Sequence, residues 1–244
     1  MNRTSIFLAL STAALLAMQP AAAEFAKAPK TKGIESAGYV WNQLDPDTTR
    51  ALEYRASAKR GKVAYKICKG CHLPNGAGKV DDDYPQLAGQ HPSVLIKQMM
   101  DIRAGRRDNP KMFPFVGDWI VTAEELADIS AYLRSLPTPT SNGKGDGSQL
   151  TQGKALYDKD CASCHGKNGE GDGKKFYPMV ASQHYNYLKR ETRESRDHGR
   201  RNASPDMVKV LKPYSDADID AVSDYMSRLP PVKKQAAVST TPKQ

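Results

Sequence analysis

The sequence predicts an all-α protein made of two tandem domains, each a copy of the other. Three observations carry this reading. The pattern Cys-x-x-Cys-His occurs twice, at Cys68–His72 and at Cys161–His165. The chain matches itself at the offset between these motifs, 161 minus 68, or 93 residues. Apolar residues recur at helical spacing, and no run alternates as a half-buried strand would.

The internal match is long. Tyr84-Pro85 meets Tyr177-Pro178, Gln90-His91 meets Gln183-His184, and Leu95 meets Leu188. Arg103 meets Arg196, and Asn109 meets Asn202. Farther on, Tyr132-Leu133 meets Tyr225-Met226 and Leu136-Pro137 meets Leu229-Pro230. One register held over about 70 residues marks a duplicated domain. It slips twice. The helix before Cys68 reads as one residue shorter than its mate before Cys161, and the stretch around Met112 is out of step with that around Met207.

In chain order, Arg3, the apolar run Ile6 to Ala17 and Ala21-Ala22-Ala23 read as a cleavable export signal, residues 1–23. Residues 24–57 form an extension with Trp41 and a helix start at Asp47-Thr48. Domain 1 spans 58–137. Its first helix, Gly61 to Ile67, leads into the motif, and a later one runs near Ser93 to Arg103. Its last starts at Thr122, where Glu125 completes a capping box. Leu126, Ile129, Leu133 and Leu136 share one face of that helix. Residues 138–149 are a linker, because Pro137 to Ser148 is rich in Pro, Gly, Ser and Thr. Domain 2 spans 150–231. Gly153 to Asp160 leads into its motif, and Ser215 opens a last helix carrying Ile219, Val222, Met226 and Leu229. Residues 232–244, with Lys233 and Lys234, read as a disordered tail.

All four cysteines lie in the two motifs, so none is left for a separate structural disulfide. Cys-x-x-Cys-His is the attachment pattern of c-type haem. Two thiols at this spacing reach the two vinyl groups of one porphyrin, and the adjacent imidazole faces the iron. The sequence therefore predicts two covalently attached haem c groups. Cys68 and Cys71 hold one, Cys161 and Cys164 the other, with His72 and His165 as iron ligands. Zinc knuckles pair at roughly 15–20 residues, and a thioredoxin-like motif needs a βαβ setting. Neither fits. Two porphyrins would also add core to domains of only about 80–90 residues.

The sixth ligand decides the chemistry. A methionine thioether opposite histidine closes the iron to substrate. Met1 and Met18 leave with the signal, Met99 and Met100 lie in a helix at packing positions, Met179 aligns with Gln86, and Met226 falls on a core helix face. Met112 and Met207 remain, each placed in a non-helical stretch before the last helix, near Pro114 and Pro205. His91 and His184 are rivals at matching positions. Both stand at helix starts, where capping or a hydrogen bond is the more ordinary role. His198 has no counterpart and reads as surface.

The formal charge is +9, or about +8 without the signal. Export and the lack of a basic, aromatic stripe exclude nucleic acid. An acidic redox protein or a membrane surface is the expected partner.

The segment YPQLAGQHPSVLIKQMMDIRAGRRDNPKM, Tyr84 to Met112, resembles the signature of the dihaem cytochrome c4 family and its monohaem c553-like relatives. Tyr177 to Met207 follows the same plan more loosely, and the resemblance covers residues 58–231. It implies two cytochrome c domains about a pseudo-twofold axis, and electron transfer in the periplasm, toward a terminal oxidase or at a membrane surface. It implies that the carbonyls of Pro85 and Pro178 orient His72 and His165. It places Tyr84, Gln90, Arg103 and their mates near the propionates or the domain interface. The sequence departs from the family in its longer N-terminal extension and in the spacing of Met112 to Thr122 against Met207 to Ser215.

Three functions fit the sequence. The first is an electron carrier between respiratory redox partners, with two His/Met irons and no small-molecule substrate. The second is an electron-transfer subunit of a periplasmic dehydrogenase complex. The third is a dihaem enzyme such as a peroxidase or a thiosulfate dehydrogenase, the latter disfavoured because no spare cysteine exists.

Overall fold

A computed structural model describes residues 29–81 and 84–232. The export signal and the tail beyond Val232 lie outside the described residues. The described chain is helical, as predicted. Helix α1 (Pro46–Glu53) belongs to the extension. Domain 1 holds α2 (Ala58–Ala64), α3 (Lys69–His72), α4 (Pro92–Arg103), α5 (Phe113–Val116) and α6 (Ala123–Ser135). Domain 2 repeats the plan with α7 (Leu150–Leu156), α8 (Ala162–His165), α9 (Tyr185–Arg196), α10 (Pro205–Leu211) and α11 (Asp216–Arg228). Among the described residues the only extended pairings are two isolated bridges, Lys79 with Tyr84 and Asp172 with Tyr177. They fall at equivalent places in the two copies.

Each domain is built on a crossing of its first and last helices, α2 on α6 and α7 on α11. A glycine sits at each crossing. A Cβ on Gly61 would overlap the Asp128 carbonyl, and one on Gly153 the Ala221 carbonyl. The last helices start as their sequences require. Thr122 Oγ1 accepts from the Glu125 N–H while the Glu125 carboxylate accepts from the Thr122 N–H, at 3.1 and 2.9 Å. Ser215 and Asp218 make the same box at 3.2 and 2.9 Å. Leu126, Ile129 and Leu133 are buried in one core, and Ile219, Val222, Met226 and Leu229 in the other. Met99, Met100 and Met179 are core residues as well.

The one-residue slip before the second motif has a structural home. Helices α2 and α7 are equal, seven residues each. The difference lies after them. A tight 3₁₀ turn, Tyr65–Ile67, precedes Cys68, whereas a wider π-helical turn, Tyr157–Cys161, precedes Ala162. A π turn is how a helix absorbs one extra residue without changing direction. Helix α1 begins earlier than Asp47-Thr48. Asp45 Oδ1 accepts from the Thr48 N–H at 2.7 Å and Pro46 occupies the first turn, which fixes the start there.

The two domains meet through reciprocal bonds. Gln90 Oε1 accepts from the Met179 N–H and its Nε2 donates to the Met179 carbonyl, both at 2.9 Å. Gln183 does the same to Gln86, at 2.8 and 2.9 Å. His91 Nε2 donates to the Glu170 carbonyl at 2.7 Å, and His184 Nε2 to the Ala77 carbonyl at 2.8 Å. Each bond maps onto its mate when the repeats are exchanged. That self-complementarity defines the pseudo-twofold axis. Beside it lies a charged cluster. Asp101 takes Lys97 at 2.5 Å and Asn202 at 2.8 Å, and Glu191 takes Arg107 at 2.9 Å and Arg200 at 2.6 Å.

The extension lies across this seam. Ile34 N–H donates to the Arg201 carbonyl at 2.7 Å, and Tyr39 Oη donates to the Ala203 carbonyl at 3.1 Å. Arg201 in turn donates to Gly105 O of domain 1 at 2.9 Å and pairs with Glu35 at 2.7 Å. Trp41 stacks on Tyr177, with ring centroids 5.9 Å apart and planes 16° apart. Lys97 Nζ stands 5.7 Å from the other member of the stack, over Trp41. The linker is also fastened. Asp224 accepts from the N–H groups of Gly145 and Gly147 at 3.0 and 2.7 Å.

Candidate functional site

Each Cys-x-x-Cys-His motif forms one helical turn, in which the His72 N–H donates to the Cys68 carbonyl at 3.0 Å. A buried tyrosine fixes the turn from below. Tyr65 Oη donates to the Leu73 carbonyl at 2.9 Å, and Tyr157 Oη to the Gly166 carbonyl at 2.6 Å. These tyrosines stand three and four residues before the first cysteine, so the extra residue of the π turn falls between anchor and motif.

The histidines are oriented from the side. His72 Nδ1 donates to the Pro85 carbonyl at 3.2 Å, and His165 Nδ1 to the Pro178 carbonyl at 2.9 Å. A carbonyl only accepts, so Nδ1 carries the proton and Nε2 keeps its lone pair for a metal. Burial pulls both rings below the usual histidine value, although the bond to the proline carbonyl opposes it. Both are thereby held neutral, as an iron ligand must be. The proline segments can approach because of Gly78 and Gly171, at φ 70° and 69°. A Cβ on either would overlap the tyrosine–proline backbone that supplies the carbonyl. The edge of the His72 ring meets Tyr84, with centroids 6.0 Å apart.

The four cysteines are partly buried, and none of them pairs in a disulfide. Among the described residues, no three His, Cys, Asp or Glu side chains are disposed to close round one metal ion. The donor sets fit covalent porphyrin attachment with one axial imidazole.

Met112 packs against the domain 1 core and Met207 against the domain 2 core, each partly buried. Their backbones differ. Met112 precedes the short α5, with its N–H donating to Asn109 Oδ1 at 3.0 Å. Met207 lies inside α10, not in a non-helical stretch. Ser204 at the N-cap and Pro205 in the first turn start a helix there. Arg103 and Arg196 stay within their own domains. Arg103 donates to the Val116 and Val121 carbonyls, both at 2.6 Å, and Arg196 to the Tyr214 carbonyl at 3.0 Å. Each pins the loop that follows the methionine. Gln90 and Gln183 instead lie at the interface. His91 and His184 spend their Nε2 on the opposite domain. His184 Nδ1 also accepts from the Gly143 N–H at 3.0 Å, so both of its nitrogens are engaged.

Three functional features escaped the sequence reading. The tyrosine anchors were signalled by Tyr65 and Tyr157 recurring just before each motif. The glycines were signalled by the matched pair Gly78 and Gly171. The loop-pinning role of Arg103 and Arg196 had no local signal.

Comparison with known proteins agrees with this geometry. The family model described as Cytochrome c matches residues 58–137 and again residues 150–230. Cytochrome c4 of Azotobacter vinelandii is 32% identical over 191 residues, covering 71% of this chain and 89% of that one. The chain belongs to the dihaem cytochrome c4 family. The crystal structure of reduced recombinant cytochrome c4 from Pseudomonas stutzeri superposes with a TM-score of 0.64 at 28% identity, covering 72% of this chain and all (100%) of that one. A thiosulfate dehydrogenase electron acceptor of Stutzerimonas stutzeri is 29% identical, covering 73% of this chain and 90% of its own. As a member of the cytochrome c4 family, the chain carries two covalent haem c groups, one per domain, and transfers electrons with redox proteins rather than catalysing a reaction. The extension, residues 29–57, lies outside the part matched by the family model.

Proposed function

We propose that this cytochrome is an exported, periplasmic one-electron carrier in which His72 and Met112 ligate one iron and His165 and Met207 the other. The observation that carries the reading is its repetition. In both domains a neutral histidine is held by a proline carbonyl at its Nδ1, and a partly buried methionine packs on the same core. When bound, each haem supplies a one-electron ferrous/ferric couple. The protein does the rest. Cys68 and Cys71, and Cys161 and Cys164, tether the porphyrins. Pro85 and Pro178 fix the imidazoles. Met112 and Met207 complete the iron and leave no position for a substrate. The reciprocal seam keeps the two sites at one fixed separation.

The relative named as an electron acceptor of thiosulfate dehydrogenase supports a dehydrogenase as donor. A terminal oxidase is the matching acceptor. The charge of +9 favours partners with acidic docking surfaces and also suits an anionic membrane surface. Among the described residues no helix is long and apolar enough to cross a membrane.

A spectroscopic redox titration of the purified holoprotein tests the ligand assignment. The ferric sulfur-to-iron charge-transfer band should carry the intensity of two haems. Met112→Ala and Met207→Ala should each remove about half of it. A band from one haem only, or rapid cyanide binding to the untreated protein, would overturn the assignment.

A further inference from the structure

The duplication provides an internal control for the surface. Helices α2 and α7 do the same structural work, yet their solvent faces differ. Along α2 and the attachment turn, Lys59, Lys62, Lys66 and Lys69 follow at spacings of 3, 4 and 3 residues, which puts them on one side of a helix. All four are exposed, and among the described residues none has an acidic partner. Beside them Val63 is 62% and Ile67 43% exposed. The equivalent stretch of domain 2 offers Thr151, Lys154, Ala155 and then Asp158-Lys159-Asp160. There Lys154 is paired with Asp158, and the charges cancel. The shared fold therefore does not require the lysines.

A second surface segment of domain 1 also differs from its mate. The loop after Met112 exposes Phe115, Trp119 and Ile120. In domain 2 the exposed large apolar side chain is Val210. Val63 and Ile67 bordered by four unpaired lysines give the make-up of a protein docking site, apolar contact area framed by charge of one sign.

We infer that domain 1, not domain 2, is the docking port for an acidic redox protein, on the face formed by α2 and the Cys68–His72 turn. This rests on the carrier function proposed above. Lys69 lies between the two cysteines of the motif, so a partner seated on this face lies against the attachment turn. The occupant is a protein rather than a lipid surface, because a seven-residue helix with two exposed aliphatic side chains is too small to insert as an amphipathic anchor. Redox encounters are small and brief, and a patch of one charge sign speeds them by steering a partner of the opposite sign.

The test uses the holoprotein and reduced flavodoxin, an acidic one-electron donor protein, in stopped flow. The variant Lys59→Glu/Lys62→Glu/Lys66→Glu should react at least about tenfold more slowly at low ionic strength and lose most of its salt dependence. Lys154→Glu/Lys159→Glu/Lys167→Glu makes the same charge change on the domain 2 face and should stay within about twofold of the native rate. Val63→Ser should slow the reaction without altering the salt slope. Equal loss in both charge variants, or none in the domain 1 variant, would overturn the port. So would a domain 1 variant that no longer binds phosphatidylglycerol vesicles yet keeps its flavodoxin rate. A failed sulfur-to-iron band would strike the ligand assignment alone and leave these rates to be read by themselves.

Discussion

Gln90 and Gln183 hold each other's domains through a shared device, each closing two hydrogen bonds on one backbone residue across the seam, Met179 and Gln86 respectively. Gln90→Ala leaves a buried N–H and a buried carbonyl without partners. The expected cost is about 1–3 kcal/mol, and the same for Gln183→Ala. The two sites share one network, so the double variant should depart from the sum. Calorimetric unfolding of the holoprotein measures all three. A loss under about 0.5 kcal/mol in both single variants would show that these amides do not secure the seam.

Acid should loosen the seam in two steps. Burial holds His91 and His184 below the ordinary value of 6.5, despite their bonds to carbonyls of the opposite domain. Their unfolded forms bind protons first. The stability they contribute is complete above pH 6.5 and is lost as pH falls through the lowered values. For His184 a second proton would sit on Nδ1, facing the Gly143 N–H. Glu191 sets the lower step. Burial works against its charge, but Arg107, Arg200 and Arg190 bring its carboxyl from 4.5 down to about 2. Its contribution is complete above 4.5 and lost toward 2. Melting temperatures across this range should fall twice, and His184→Gln should shrink the upper fall alone. A single acid transition unchanged by that substitution would refute the scheme.

Leu73 follows the first motif at φ 61° and ψ 157°, a region that belongs to glycine. Gly166 holds the same place in domain 2 at φ 82° and ψ 158°. Leu73→Gly relieves the strain but frees the unfolded chain, for a net gain of about 1 kcal/mol. Gly166→Leu should destabilise, since a Cβ there would also overlap Glu170. Opposite shifts in melting temperature are the expected signature, and a destabilised Leu73→Gly would contradict it.

Trp41 joins the extension to domain 2 through Tyr177 and to domain 1 through Lys97. Trp41→Ala should cost about 1–2 kcal/mol. It should also speed limited proteolysis between residues 29 and 45, while Trp41→Phe keeps most of the stack. Native-like resistance in the alanine variant would mean that the bonds of Ile34, Glu35 and Tyr39 to domain 2 hold the strap without the stack.

The sequence made legible whatever repeats or has local chemistry. The register of 93, the two motifs and the boxes at Thr122 and Ser215 follow from pattern alone. It showed that one residue is extra before Cys161 but not where it goes, because a π turn and a longer helix look alike in one dimension. Met207 departs from the non-helical stretch expected beside Pro205, because Ser204-Pro205 is itself a helix start. The linker composition suggested slack, yet its glycines let the backbone approach the Asp224 carboxylate. The extension was least legible. Tyr39 meets Ala203 across 164 residues of chain, and no local pattern encodes such a contact.

The linker and the strap together give the chain two crossings of the seam. A two-domain protein with one crossing can swing open like a hinge. With two, on different strands of chain, opening means peeling Ile34, Tyr39 and Trp41 off domain 2 as well as parting the glutamine bonds. An electron arriving at one site therefore finds the other already in place. The two sites keep one mutual placement whichever of them a partner meets first.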